Sequence, residues 1–196
     1  MGIHKMKKLT TFLVLGAGCL FLASCDNEES ASKEPTVTYR KMTDAISVVL
    51  RSDRTAYTKN IVARLKKEGV MPSEHWKDEK QKTLLPAQMF RAGQEIAMSR
   101  DPGFFYQLKS IWPINPKNLP NEFEKAGFEK VAESGGAENF YGQEEIDGQK
   151  YFVAIYPDVA VSPACVDCHN EHKDSPRKDF KMDEVMGGIV IRVPME

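Results

Sequence analysis

Asn139-Phe140-Tyr141-Gly142-Gln143-Glu144-Glu145-Ile146-Asp147-Gly148-Gln149-Lys150-Tyr151-Phe152-Val153-Ala154-Ile155-Tyr156 reads as two strands around a turn. Asp147-Gly148 suits a two-residue type I′ turn, in which both central residues take positive φ, and it predicts a hairpin of Asn139–Ile146 with Gln149–Tyr156. Downstream, Ile189, Ile191 and Val193 alternate and predict a further strand over Gly188–Val193; upstream, Phe105–Trp112 reads as another. Before the hairpin the period is helical. Ile46, Val49, Leu50, Tyr57, Ile61 and Leu65 recur at three- and four-residue intervals over Tyr39–Lys67, and Gly69 and Pro72 stop that helix. A second helix is expected over Pro86–Met98, with Leu85, Met89 and Ile96 on one face. A third is capped by Asn121, carries Phe123, Ala126 and Val131 inward, and ends at Gly135-Gly136. Helices first and an antiparallel sheet afterwards predicts an α+β fold, one sheet with helices on one face.

The loop expected after the hairpin carries Cys165-Val166-Asp167-Cys168-His169. Two cysteines two residues apart with histidine next is the spacing for covalent attachment of a c-type haem. The two thiols join the two vinyl groups of the porphyrin, and the adjacent imidazole binds the iron. Two other readings stay open. A redox dithiol would be expected at a helix start near a βαβ pattern, whereas here a lone strand precedes the motif. Tetrahedral zinc would need further ligands, with His75 and His172 available besides His169.

The haem reading requires export, and the N-terminus speaks to it. Lys5, Lys7 and Lys8 precede an apolar run from Phe12 to Ala23, short for a bilayer span but right for a signal peptide. Leu22-Ala23-Ser24-Cys25 resembles the lipobox of bacterial lipoproteins, which implies cleavage before Cys25, lipid on its thiol, and a membrane anchor. Asp26 resembles a retention signal that points to the inner membrane. The chain therefore divides into a signal peptide (1–24), a polar, acidic tether (25–37) and a haem domain (38–196). The signal holds three of the 27 Lys and Arg and none of the 28 Asp and Glu, so the mature charge falls from −1 to −4. No basic stripe suggests nucleic acid. Cys19 leaves with the signal and Cys25 is blocked by lipid, so Cys165 and Cys168 are the thiols of the mature domain.

Around the motif, Asn170-Glu171-His172-Lys173-Asp174-Ser175-Pro176 and then Asp179-Phe180-Lys181-Met182-Asp183-Glu184-Val185-Met186-Gly187-Gly188 resemble a family of single-haem domains with a PAS-like fold. These are known as periplasmic sensor inputs and as free-standing cytochromes, including a cyanobacterial one. The family pattern runs CxNCHNxHxDSPKxDWKxGDVxG; here Asp183-Glu184 stands where Gly-Asp is usual. Arg54-Thr55-Ala56-Tyr57-Thr58-Lys59-Asn60-Ile61-Val62, Pro86-Ala87-Gln88-Met89-Phe90 and Asn115-Pro116-Lys117-Asn118-Leu119-Pro120-Asn121-Glu122-Phe123-Glu124 are similar to its other signatures. The resemblance, over about residues 38 to 194, implies one covalent haem c on a PAS-like antiparallel sheet, with His169 as the proximal iron ligand. Some members use an N-terminal-helix cysteine as second axial ligand; the mature chain has none there, so that ligand does not carry over.

Met89 is the first distal candidate, because thioether ligation opposite histidine is a common cytochrome arrangement; its other reading is core filler. Tyr57 is a second, as a phenolate or a hydrogen-bond donor. Met71, Met98 and Met182 have weaker claims, and a vacant position would admit small gases. His172 is too near His169 to reach the opposite haem face and is expected to bond a propionate or the motif loop. Lys173, Arg177, Lys178 and Lys181 read either as a solvated loop or as charge compensation for propionates. Trp112, Phe105, Phe140 and Tyr151 are expected in the core. The expected function is a membrane-tethered periplasmic monohaem cytochrome transferring single electrons to redox partners. The alternative is a redox or gas sensor read by a separate signalling protein. An enzyme such as a peroxidase needs distal acid–base groups that this chain does not present in sequence.

Overall fold

The computed structural model describes residues 36–196; the expected signal peptide, Cys25 and most of the tether lie outside them. The helical part comprises α1 (Tyr39–Ala56), a π-helical segment (Tyr57–Val62) and α2 (Ala63–Lys67), then β1 (Met71–Pro72), β2 (Lys82–Thr83) and α3 (Pro86–Met98). There follow β3 (Phe105–Lys109), a 3-10 turn (Pro116–Asn118), α4 (Glu122–Glu133), β4 (Phe140–Ile146), β5 (Gln149–Val159), α5 (Pro163–Glu171) and β6 (Val185–Pro194). No helix among the described residues is long and apolar enough to cross a membrane.

The hairpin forms as its turn requires: Ile146 faces Gln149, and Asp147 and Gly148 have φ of 51° and 81°. β6 pairs antiparallel with β5 and takes β3 on its other side, giving the order β3-β6-β5-β4. β5 and β6 run longer than the alternation suggested, and β3 stops at Lys109 rather than Trp112. The chain leaves the sheet there because Ser110 N–H donates to Asn118 C=O (2.9 Å) and Ser110 Oγ to Met186 C=O (2.7 Å).

The α+β fold with an antiparallel sheet is as expected, but the helices cover both faces rather than one. Ala154, Tyr156, Ile189 and Ile191 join Phe90 and Tyr106 under α1 and α3, while Val153, Ile155 and Val190 join Phe128 and Val131 of α4 on the opposite face. This explains why Val153–Pro157 is buried without alternation: a strand covered on both sides loses the period-two signal. On α4 the inward residues are Glu124, Gly127, Phe128 and Val131, and Ala126 is exposed. Glu124 is tolerated inside because Arg192 Nη2 lies 2.7 Å from its Oε1 and its Oε2 accepts from Asn121 N–H.

The buried face of the first helix is also rotated from the apolar periodicity. Val49 and Ile61 face outward, at 58 % and 47 % exposure, while Thr43, Ser47 and Thr58 are buried beside half-buried Ile46 and Leu50. Each buried hydroxyl donates to a carbonyl of its own helix: Thr43 to Arg40 (3.1 Å), Ser47 to Asp44 (2.8 Å), Thr58 to Arg54 (2.8 Å). Small, self-satisfied side chains let the helix approach the sheet without an unpaired polar group. On α3, similarly, Phe90 is buried and Ile96 is exposed. Phe105 is also exposed rather than core.

Between β5 and β6 the chain makes an excursion that closes on one residue. Ala160, fully buried, donates to Glu184 C=O (3.0 Å) and accepts from Asp183 N–H (3.1 Å).

Candidate functional site

That excursion holds the cysteine motif, on helix α5 rather than in a loop. Ser162 caps it through its hydroxyl, which accepts from Ala164 N–H, and Pro163 takes the first turn, where a missing N–H is harmless. The apolar period misses this helix because its nine residues are too few and too polar to show a stripe. A helical backbone puts Cys165, Cys168 and His169, at i, i+3 and i+4, on one face.

Cys165 packs with Val166 and Trp112 against Ala160, Phe180 and Met186. Cys168 is exposed and Cys165 half-buried, and both are free thiols. Partial desolvation by the surrounding protein is the first cause that pushes each thiol above its ordinary value, acting at Cys168 although that residue reaches solvent; there the Glu74 carboxylate adds to it. His169 stands edge-on to Phe180, with ring centroids 5.8 Å apart and planes at 89°. Burial holds its pKa below the usual 6.5, with the charges of Arg54 and His172 acting the same way and Asp158 against them. The imidazole is thus neutral at pH 7, the form that binds a metal. Its Nδ1 is buried with no hydrogen-bond partner among the described residues.

The return segment is built to hold this face. Asn170 clamps Phe180, accepting from its N–H and donating to its C=O, both at 2.9 Å. Trp112 meets Phe180 edge-on at 5.8 Å, and the Arg177 guanidinium lies over both rings, 4.9 Å and 4.3 Å from their centroids. Arg177 also donates to Asp179 (2.7 Å) and Glu184 (2.9 Å), so it is a structural cation of the return rather than a free one.

His172 follows one of the two expectations for it. Its Nδ1 accepts from Asp174 N–H (3.2 Å), a bond within the motif loop, and its Nε2 lies 3.5 Å from Glu74. Tyr57 opens the π-helical segment and donates to Leu84 C=O (2.9 Å), with Thr83 Oγ1 at 3.3 Å. Met89 is half-buried on α3, which packs against α1, the π-helical segment and β3; Met89 is not part of the cluster around Cys165. His75 is exposed. Sequence reading missed the pair of Arg54 with Asp158, whose charges reach Cys165 and His169. No periodicity links residues so far apart in the chain.

The donor set fits a covalently held haem: two unpaired thiols and a neutral imidazole with an unpartnered nitrogen share one helical face. A redox dithiol fits less well. The helix start is present, but such dithiols work through a lowered thiol pKa and these are raised. For zinc, no group of three or more His, Cys, Asp or Glu side chains converges among the described residues.

A family model described as Tll0287-like matches residues 28–194. The crystal structure of the cyanobacterial heme-protein Tll0287 superposes with a TM-score of 0.51 at 10 % identity, covering 82 % of this chain and 98 % of that one. Comparison with curated proteins found no match.

Proposed function

Because this chain belongs to the Tll0287-like family, we propose that it is a membrane-tethered monohaem c-type cytochrome that passes single electrons between periplasmic partners. Family membership suggests haem binding; the observation that carries the finer reading is the shared face of Cys165, Cys168 and His169. In this reading Cys165 and Cys168 hold the porphyrin through thioether bonds and His169 binds the iron. The bound group supplies a one-electron couple. The side chains of the chain do the rest: Phe180, clamped by Asn170, fixes the plane of His169, and burial keeps that imidazole unprotonated. The tether and lipid on Cys25 would hold the domain at the membrane, with the inner membrane indicated by Asp26. No catalytic side chain is assigned.

A denaturing gel stained for haem, with a pyridine haemochrome spectrum, tests this. The wild type retains c-type haem through denaturation, and Cys165→Ser with Cys168→Ser loses it. A wild type that releases its haem overturns the covalent reading.

A second reading, a gas or redox sensor acting through a separate protein, is favoured by the engagement of the Tyr57 phenol with Leu84 and Thr83, which commits one candidate distal ligand within the fold. Carbon monoxide added to the reduced protein separates the two. A shifted Soret band supports an open iron position, and an unchanged spectrum supports electron transfer.

A further inference from the structure

The outward face of the first helix carries charge and apolar surface that the fold does not use. α1, the π-helical segment and α2 follow one another without a break from Tyr39 to Lys67, and Thr43, Ser47, Thr58 and Val62 form their buried side. Between Lys41 and Glu68 the exposed charged residues are six cations, Lys41, Arg51, Lys59, Arg64, Lys66 and Lys67, and two acids, Asp53 and Glu68. Among the described residues only Arg64 of the six has an acidic partner, Glu68 at 3.2 Å. Val48, Val49 and Ile61 stand exposed between these cations. Arg51 and Lys59 share one shallow, solvent-facing concavity with Val48, Ser52 and Ala56. α4, on the opposite face of the sheet, has the other sign: it exposes Glu122, Glu129 and Glu133 against Lys125 and Lys130. The whole chain has a net charge of −1, so the cations are gathered on the first helix rather than spread.

We propose that this helix face lies on an anionic lipid bilayer, with Arg51 and Lys59 against phosphate groups and Val48, Val49 and Ile61 among the headgroups. The inference deepens the membrane-tether reading above, which brings the domain to a bilayer without orienting it. Tyr39 follows Cys25 by fourteen residues, so an anchor there keeps α1 within about 50 Å of the surface. Cations interleaved with exposed apolar side chains suit a helix in the plane of the interface. Attraction to anionic lipid is screened within about 10 Å in salt, so only a face resting on the surface gains from it. The same field repels the acidic α4 side, which turns the domain one way up. A second copy of this chain fits the face less well, because it would set the cations against one another.

The experiment adds the full holoprotein to vesicles of phosphatidylcholine, alone or mixed with phosphatidylglycerol. A benzoylphenylalanine photo-cross-linker replaces Val48 or, on α4, the exposed Ala126, and lipid capture is read by mass. The Val48 position is expected to capture lipid from the mixed vesicles. Capture falls about fivefold or more with Lys59→Glu or in neutral vesicles, and likewise in about 0.5 M NaCl. The Ala126 position captures little in any of them. Equal capture at both positions or from both vesicles, or capture of a second copy in place of lipid, overturns the inference. Sedimentation with the vesicles separates the two readings. A chain that sediments with neutral vesicles but captures no lipid through position 48 keeps its anchor and loses this face. A chain that leaves neutral vesicles but captures anionic lipid through position 48 keeps this face and loses the anchor. A chain that sediments with neither overturns both.

Discussion

Asn170 and Phe180 are joined like paired strand residues, except that one partner is a side chain: the Asn170 amide meets both backbone groups of Phe180 at 2.9 Å. The residue after the motif histidine therefore fixes the aromatic ring against which that histidine stands.

Asn170→Ala removes both bonds and leaves two backbone groups of a buried residue unpaired. Urea unfolding is expected to show a loss of about 2–4 kcal/mol. Asn170→Asp keeps the acceptor for Phe180 N–H and loses only the donor, so it falls between Ala and wild type. Equal stability of all three would show that the clamp carries no weight.

Two helix glycines respond oppositely to alanine. A Cβ at Gly127 meets Ile155 Cδ1 and Phe140 Cδ1, both at 2.6 Å, in the core beneath α4. Gly127→Ala is expected to destabilise by about 1–3 kcal/mol through overpacking. At Gly93 the nearest atom is Tyr106 Oη at 3.7 Å, an ordinary contact, so Gly93→Ala gains about 0.5–1 kcal/mol from helix propensity. Thermal melts of the pair should move in opposite directions.

Asp183 holds φ of 65°, the left-handed region that glycine enters freely and aspartate tolerates. Its N–H closes the motif excursion onto Ala160. Asp183→Gly is expected to leave stability within about 1 kcal/mol of wild type, and Asp183→Ala to lie about 1–2 kcal/mol below Asp183→Gly. Urea midpoints of the two variants, measured side by side, check the order.

In protein made without haem, stability should fall with acid in part through His169. Its folded pKa lies below 6.5 because burial disfavours the cation, so below 6.5 the unfolded chain binds more protons than the folded one. Stability is then full above that pH and is lost as the pH falls through the folded value. His169→Gln removes this slope. A variant whose urea midpoint falls as steeply as the wild type between about pH 7 and 5 would show that other groups carry the acid loss.

The hairpin was legible because Asp147-Gly148 specifies a turn by backbone conformation alone, without help from tertiary contacts. The α3 boundaries were legible for a like reason, with Pro86 at the first turn. The helix faces were less so: periodicity weighs hydrophobicity, and Thr43, Ser47 and Glu124 are buried by hydrogen bonds that the period does not see. Cys165, Cys168 and His169 announce themselves by spacing. Arg54 and Asp158 do not, because their pairing spans 104 positions and forms only once α1 lies against β5; Phe180 does not either, because its partners Asn170 and His169 meet it only when the return segment folds back on α5.

The closure at Ala160 has a consequence for how such a domain changes over time. Both ends of the 161–183 excursion meet at one buried residue, and the strands on either side already pair with each other. The excursion is thus a cassette seated on a finished frame. Its contents can lengthen, shorten or exchange chemistry while the frame keeps its register, because the ends to be joined stay where they are and added loop length raises the closure entropy only logarithmically.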